Sequence, residues 1–307
     1  MTSSAASNAR GPTGVVSITT DYGLADGFVA ACHGVIARLA PEMRIIDVTH
    51  LVPPGNVRRG ATVLAQTVPH LPSGVHVAVV DPGVGTTRRG VALATPGGLL
   101  VGPDNGLLLD AAEALGGVTG TVELTNPRWL ASRVSATFHG RDVFAPVAAR
   151  LALGAPLAQA GPPVDPTTLV RLPDPVVRRE PDGFVAEVLT VDHFGNVQLA
   201  APADLLAPLP ARLLVRPEPD QPVQAADGGE RELAAVHGRT FADVPVGALV
   251  AHVDSAGKVA LSVNGGHAVD LLGAIPGTLL RVRVMASLDA DPRHAEETST
   301  VESCRSG

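Results

Sequence analysis

The sequence predicts an α/β protein of two domains, an N-terminal Rossmann-like α/β/α domain with a mostly parallel sheet and a C-terminal antiparallel β-barrel or sandwich. Three observations predict it. The chain has 307 residues, more than one hydrophobic core usually organises. Its first half alternates short β-branched runs with amphipathic ones, the pattern of strands joined by crossover helices. Its second half, from Phe184 onward, holds short alternating runs separated by turn residues, the pattern of antiparallel strands.

Each element follows in order. Residues 1–14 are rich in Ser, Ala and Asn and are expected to be disordered. The N-terminal domain spans 15–165. Residues 14–20 read as a first strand and 26–40, stopped by Pro41, as a helix. A strand over 44–49, a helix over 56–68 with Asn56 as its N-cap, and a strand over 75–80 complete a β-α-β-α-β run. Residues 91–95 and 99–101 flank Pro96-Gly97-Gly98, so a hairpin is expected there. Residues 107–115 read as helical, and a last helix runs from 140 to 153 with Asp142 near its start. The Pro-rich stretch 166–183 reads as a linker. In the C-terminal domain, 184–288, strands are expected at 184–191, 197–200, 213–215, 249–253, 259–263 and 279–284, with no helix between them. Residues 289–307 are charged and small, and are expected to be a disordered tail.

Composition narrows the function. Apolar residues make up 45% of the chain, but aromatic ones are only six Phe, one Tyr and one Trp, so Ala, Val and Leu must fill the cores. The 33 glycines and 27 prolines follow no period, which excludes a collagen-like chain. The net charge is −7 and no basic run exceeds a pair, so nucleic acid is not an expected partner. Lys258 is the one lysine, in Ser255-Ala256-Gly257-Lys258-Val259, a spacing that excludes a Walker-type phosphate loop. Cys32 and Cys304 form neither a disulfide framework nor a zinc pattern and suit a reducing cytoplasm. No 18-residue uncharged apolar stretch occurs, so no membrane association is expected.

In open α/β sheets, ligands bind beyond the carboxyl ends of the strands. The first strand runs into Thr19-Thr20-Asp21-Tyr22-Gly23, the second into Asp47-Val48-Thr49-His50, and the third into Val79-Val80-Asp81-Pro82-Gly83-Val84-Gly85. Each alone suits a turn or helix cap. Three at one sheet edge point to a site. The tight loop after Asp81 can return Arg88 to the strand end, where an always-charged guanidinium stabilises and orients anions but cannot act as a base. A base must come from elsewhere, and His139 in Thr137-Phe138-His139-Gly140-Arg141-Asp142 is the candidate. In the second domain Asp192-His193-Phe194-Gly195-Asn196, Asp254-Ser255-Ala256-Gly257 and Val263-Asn264-Gly265-Gly266 are polar turns that equally suit plain hairpin connections.

Asp21-Tyr22-Gly23, the Asp81-Pro82-Gly83-Val84-Gly85 loop with Arg88, Gly102-Pro103-Asp104-Asn105-Gly106, the His139 segment and Asp192-His193-Phe194-Gly195-Asn196 stand in one particular order. That order resembles the S-adenosyl-L-methionine (SAM) hydroxide adenosyltransferases, SAM hydrolases related to the fluorinase and chlorinase. The likeness runs from Val15 to Val284. It implies an α/β domain joined to a β domain, a homotrimer with active sites between subunits, and attack of water or hydroxide on ribose C5′ of SAM to give adenosine and L-methionine.

By the same resemblance Asp81, Arg88 and His139 form the catalytic set. Asp21 holds the ribose hydroxyls, Asp192 and Asp26 lie near the methionine amino group, and Ser255 lies near its carboxylate. Asn196 and Asn264 fall by the adenine, and Phe241 packs on the nucleoside. Gly140 stands where the fluorinase has a serine that contacts fluoride, which favours water over halide. Ala256 aligns with the fluorinase arginine that grips the methionine carboxylate, and Asp254 replaces the usual Asn. A sulfonium leaves as a neutral thioether, so no general acid, metal or cofactor is expected. Alternative readings are a chlorinase-like halogenase and a SAM or adenosine sensor that binds without turnover. A dinucleotide dehydrogenase lacks its Gly-x-Gly-x-x-Gly signature here.

Overall fold

The computed structural model describes residues 14–219 and 232–285. The expected disorder of 1–14 and 289–307 falls outside them, apart from Gly14. The chain divides into two compact units, one up to Asp174 and one from Pro175.

The first unit is built on a six-stranded sheet. Its strands are β1 (Val15–Thr20), β2 (Arg44–Thr49), β3 (Val75–Val79), β4 (Gly90–Ala94), β5 (Leu99–Pro103) and β6 (Gly120–Glu123), in the order β2-β1-β3-β5-β4-β6. β1 pairs in parallel with β2 and β3, and β3 with β5, while β4 runs antiparallel to β5 and β6. The expected 91–101 hairpin is the β4–β5 pair. The helices are α1 (Phe28–Leu39), α2 (Val57–Thr67), α3 (Leu109–Ala114) and α4 (Ala145–Ala152). α2 is capped by Asn56, whose side chain accepts from Arg59 N at 2.9 Å. α1 starts at Phe28 rather than Asp26, because Gly27 N-caps it and Asp26 stays exposed ahead of it.

Strand alternation divides the apolar side chains between two faces. Val16, Ile18, Val77 and Val79 join Ile36, Phe144 and Val147 in one core, whereas Ala78 and Val80 join Leu64, Leu107 and Ala111 in another. Helices therefore cover both faces of the sheet. Because β1, β2 and β3 are parallel, Asp21, His50 and Asp81 all follow strands at the same sheet edge, with Asp47 near the end of β2 itself. The stretch 166–183 is not a plain linker. Asp165 caps a helical turn at Pro166–Thr168, Leu169 is buried in the second core, and Val170 N donates to Asp104 at 2.9 Å.

The second unit carries β7 (Val177–Glu180), β8 (Gly183–Val191), β9 (Val197–Pro202), β10 (Arg212–Pro217), β11 (Leu233–His237), β12 (Leu249–Val253), β13 (Lys258–Val263) and β14 (Leu279–Val284). β14 pairs with both β10 and β8, which closes seven strands into a barrel and leaves β7 outside on β8. Closure gives each of the seven barrel strands a neighbour on both sides, and β7 is left as the one edge strand of this sheet among the described residues. Phe184, Leu199, Leu213, Leu261 and Val282 fill the interior. Two features depart from the expected all-antiparallel, helix-free domain. β11 and β12 are parallel, since residues 238–248 form a crossover rather than a hairpin, and two short helices, α5 (Ala203–Leu206) and α6 (Ala268–Leu272), pack into the core.

Candidate active site

The loop after β3 carries the first two site residues. Val84 N donates to Asp81 O at 3.2 Å and Thr86 N to Gly83 O at 3.2 Å, and these two turns bring Arg88 back over Asp81. Gly85 sits at φ +78°, and a Cβ on it would lie 2.5 Å from the carbonyl oxygen of Ala136. A glycine there lets the loop lie against the segment that leads to His139.

Arg88 is the centre of the arrangement. Its Nε donates to both Asp81 oxygens at 3.0 Å, and Nη2 donates to Asp81 Oδ2 as well. Nη2 also donates to Nδ1 of His139 at 2.8 Å. Asp81 and Arg88 expose only 5% and 12% of their side chains, so the pair is little screened by water. The guanidinium lies over the Phe144 ring, 5.4 Å from its centroid. An arginine has no acceptor, so Nδ1 of His139 must present its lone pair and the ring proton sits on Nε2. Burial and the Arg88 charge hold His139 below the ordinary imidazole value, with Asp81 and Asp142 pulling the other way. The sequence expectation of a base at His139 is thus modified: in this state the ring's remaining nitrogen is a donor.

Asp21 stands at the end of β1 and accepts Gly55 N at 2.8 Å through Oδ2. An ionised carboxylate has about four acceptor positions, so this one bond leaves most of its capacity for a ligand. Gly55 is held at φ +72° against Pro82, the neighbour of Asp81, which places the Asp21 loop beside the Asp81 loop. Asp26 is exposed, and no hydrogen bond joins it to this cluster among the described contacts.

Gly140 opens a π-helical turn, Gly140–Phe144, that leads into α4. A Cβ at Gly140 would stand 2.1 Å from the Tyr22 hydroxyl oxygen and 3.0 Å from Cζ. Tyr22 therefore occupies the space a side chain at 140 would need. Its ring packs edge-on against Phe138 at 5.8 Å and is tilted against Phe28 at 6.1 Å. Burial raises the Tyr22 phenol well above its ordinary value, and Cys32, Asp21 and Asp81 push the same way against Arg88, so it remains a neutral donor. Sequence reasoning quoted Tyr22 within a motif but gave it no role. The available signal was that it is the single tyrosine of the chain and directly follows Asp21.

Asp104, Asn105 and Asp142 turn out to shape the unit. Asp104 accepts Arg89 Nε at 2.8 Å, and Asn105 Nδ2 donates to Val80 O at 2.8 Å. Burial pushes the Asp142 carboxyl up, yet bonds from Arg141 and Ser135 N outweigh it and leave the group below its usual range.

In the second unit, Asp192 and Asn196 come together in one turn. Asp192 Oδ1 accepts Phe194 N and Asn196 N at 2.8 and 2.9 Å, and Oδ2 accepts Asn196 Nδ2 at 2.8 Å. Asn264 donates Nδ2 to Val244 O at 2.7 Å, just beyond the Phe241–Asp243 turn. Phe241 is half exposed and meets the His252 ring at 5.3 Å. Ser255 is exposed in the turn that Asp254 organises by accepting Ala256 N and Lys258 N at 2.9 Å. These residues occupy separate loops, apart from the Asp192–Asn196 pair.

Residues 16–161 match the SAM hydroxide adenosyltransferase N-terminal domain and residues 186–281 match the C-terminal domain. A curated protein of Salinispora arenicola named (R)-S-adenosyl-L-methionine hydrolase is 70% identical over 87% of this chain and 97% of its own length. A fluorinase of Nocardia brasiliensis is 30% identical over 62% of this chain and 71% of its own. The solved structure of an uncharacterized conserved protein from Thermotoga maritima superposes with a TM-score of 0.78 at 35% identity, covering 87% of this chain and 99% of that one. Two domain matches in the right order, and a relative this similar over nearly its whole length, show that the chain belongs to the SAM hydroxide adenosyltransferase family.

Proposed function

We propose that this protein hydrolyses S-adenosyl-L-methionine to adenosine and L-methionine by in-line attack of water or hydroxide at ribose C5′. The observation that carries this reading is the half-buried Asp81–Arg88–His139 chain at the carboxyl edge of the parallel strands. The hydrolase names of similar proteins support it.

The new C–O bond forms as the C5′–S bond breaks, and the sulfur leaves as a neutral thioether with the bonding pair. One proton passes from water to solvent. No leaving-group acid is needed, so the work of the site is to orient and activate one oxygen. Asp81 fixes Arg88, Arg88 fixes the His139 tautomer, and N–H donors from both hold an oxygen that gains nucleophilic character as it sheds its proton. Asp21 takes the ribose hydroxyls. Its charge and that of Asp26 attract a cationic substrate, while the Asp81–Arg88 pair adds no net charge where the cation is being neutralised.

In this reading Asp192 and Asp26 meet the methionine amino group and Ser255 its carboxylate. Asn196, Asn264 and Phe241 receive the adenosine part, and the working form is a homotrimer with sites shared between subunits. No cofactor takes part. The protein works in the cytoplasm, where Cys32, a buried free thiol pushed up to about 12, stays reduced. Among the described residues no helix is long and apolar enough to cross a membrane.

Turnover of SAM in ¹⁸O-labelled water, with and without saturating chloride, tests the reaction. The label is expected in the adenosine 5′-hydroxyl and absent from methionine. Predominant 5′-chloro-5′-deoxyadenosine would make the protein a halogenase, unlabelled adenosine would exclude water as nucleophile, and binding without any product would make it a sensor.

A further inference from the structure

Three side chains that the proposed reaction does not use converge beside β2. His33, on α1, places Nε2 2.8 Å from Oδ1 of Asp47 on β2. His50, directly beyond β2, places its Nε2 3.0 Å from the same oxygen. One ligand-type atom from each residue lies within 4.8 Å of the other two. The imidazole rings stand edge to face with centroids 6.3 Å apart. The sequence carried no zinc signature, because the ligands lie on two elements, 14 positions apart for His33 and Asp47, and share no short spaced motif.

A second observation points from this cluster to a ligand. His50 is only 4% exposed, and its buried Nε2 has no hydrogen-bond partner among the described residues, since its alignment with Asp47 makes none. Its other nitrogen is engaged: Nδ1 lies 2.8 Å from Thr20 Oγ1, also buried. When Nδ1–H donates to that hydroxyl, the Nε2 lone pair faces Asp47. A ring oriented by a bond at one nitrogen so that the other is bare is the usual support of a metal-ligating histidine.

We propose that His33, Asp47 and His50 form a binding site for a divalent transition ion of the zinc class. Two imidazole nitrogens and a carboxylate oxygen suit such an ion, whereas Mg²⁺ and Ca²⁺ prefer oxygen alone. Metal–ligand distances near 2.0–2.2 Å set ligand atoms about 3.4 Å apart in a tetrahedron. The present 2.8 and 3.0 Å separations need only small widening. His33 and Asp47 can give way, being 31% and 42% exposed, and their exposed side leaves room for water to complete the coordination. The ion would also steady the loop that starts at Asp21. Thr20 Oγ1 accepts Tyr22 N at 3.2 Å and His50 O accepts Gly23 N at 2.8 Å. The proposal does not depend on the hydrolase reading.

Calorimetric titration of the chelator-stripped full chain with ZnCl₂ tests it, alongside Co²⁺ binding read by visible absorption. His33→Ala and Asp47→Asn alter side chains that are at least partly exposed, and circular dichroism checks that both variants fold. Expected are one Zn²⁺ per chain, a rise in melting temperature on Zn²⁺ addition, and affinity lowered at least about tenfold by each substitution, with the cobalt band lost. Absence of uptake would leave the cluster an ion-pair network only and overturn the proposal. Uptake that neither substitution weakens would place the ion on other groups and overturn it equally.

Discussion

Arg88 donates one Nη2 hydrogen to Asp81 and lies 2.8 Å from Nδ1 of His139 through the same nitrogen, and this second bond decides which ring nitrogen of His139 carries the proton. The imidazole must be neutral for the bond to exist. Burial first, and then the Arg88 charge, lower its titration from the ordinary 6.5. With the deprotonated ring assigned as the working form, kcat should be flat through neutrality and fall only below the ordinary 6.5. Arg88→Ala removes one of the lowering influences and should move that acid limb to higher pH. Both Arg88→Ala and His139→Ala should cost about 10²-fold or more in kcat with SAM affinity within about tenfold, the pattern of groups that act on the transition state. Arg88→Lys should not restore the rate, because an ammonium cannot reproduce the planar fork that meets Asp81 and His139 together. Steady-state pH profiles check this, and near-normal turnover in His139→Ala would contradict it.

Asp21 should behave differently. Its carboxylate is anchored to Gly55 N at 2.8 Å and is assigned to hydroxyls that do not react. Asp21→Ala should therefore weaken binding of SAM and adenosine alike by about 10- to 100-fold, the loss of hydrogen bonds to a charged acceptor. The effect on kcat should be smaller. Direct binding by calorimetry separates the two, and unchanged adenosine affinity would remove Asp21 from the ribose contact.

The strands that carry these residues were legible because β1 and β3 are buried runs of β-branched residues with polar residues at their carboxyl ends. β7, Val-Arg-Arg-Glu, is mostly exposed and has no apolar alternation to read. β6 is four residues long with Gly and Thr in it, and the parallel β11–β12 pair depends on a crossover that has turn composition like any hairpin. Within the site, the return of Arg88 to Asp81 was legible in the tight loop between them, but the contact of Arg88 with His139 was not. Arg88 and His139 lie 51 positions apart, and they meet through the packing of Gly85 on the Ala136 carbonyl, a steric fit without a local signature. The Tyr22 hydroxyl filling the space beside Gly140 is of the same kind. The turns of the β domain were ambiguous for a sound reason, since Asp192 does organise its own turn as a plain hairpin residue would.

Gly140→Ser follows from that steric fit. A Cβ 2.1 Å from the Tyr22 hydroxyl cannot be accommodated without moving the ring, which is wedged between Phe28 and Phe138. Overpacking of this sort costs about 1–3 kcal/mol. The substitution should lower the melting temperature and the rate of adenosine formation, and saturating chloride should yield no halogenated product, because the serine lacks space to form a halide contact. Tyr22→Phe in the same chain removes the nearest atom and should recover part of the lost stability. Thermal melts of the single and double variants check this, and a Gly140→Ser protein as stable as the parent would show that Tyr22 moves freely.

His76 supplies a prediction about folding rather than catalysis. It lies fully buried on β3 with Nδ1 2.8 Å from Ser17 Oγ, and its buried Nε2 has no hydrogen-bond partner among the described residues. Burial lowers its titration from 6.5 to about 4, so the folded state holds the ring neutral where the unfolded chain would already be protonated. The sign follows from proton uptake: no penalty exists above pH 6.5, stability drains as pH falls from 6.5 toward 4, and the loss saturates below that. At about 1.4 kcal/mol per unit of difference, this one ring accounts for about 3 kcal/mol of acid destabilisation. His76→Asn keeps a polar atom near Ser17 but cannot titrate. Its stability at neutral pH should lie below that of the parent, and the gap should narrow by about that amount as pH approaches 4. Urea unfolding at several pH values measures the gap directly, and one that stays constant with pH would show that His76 is not the group whose protonation drives the loss.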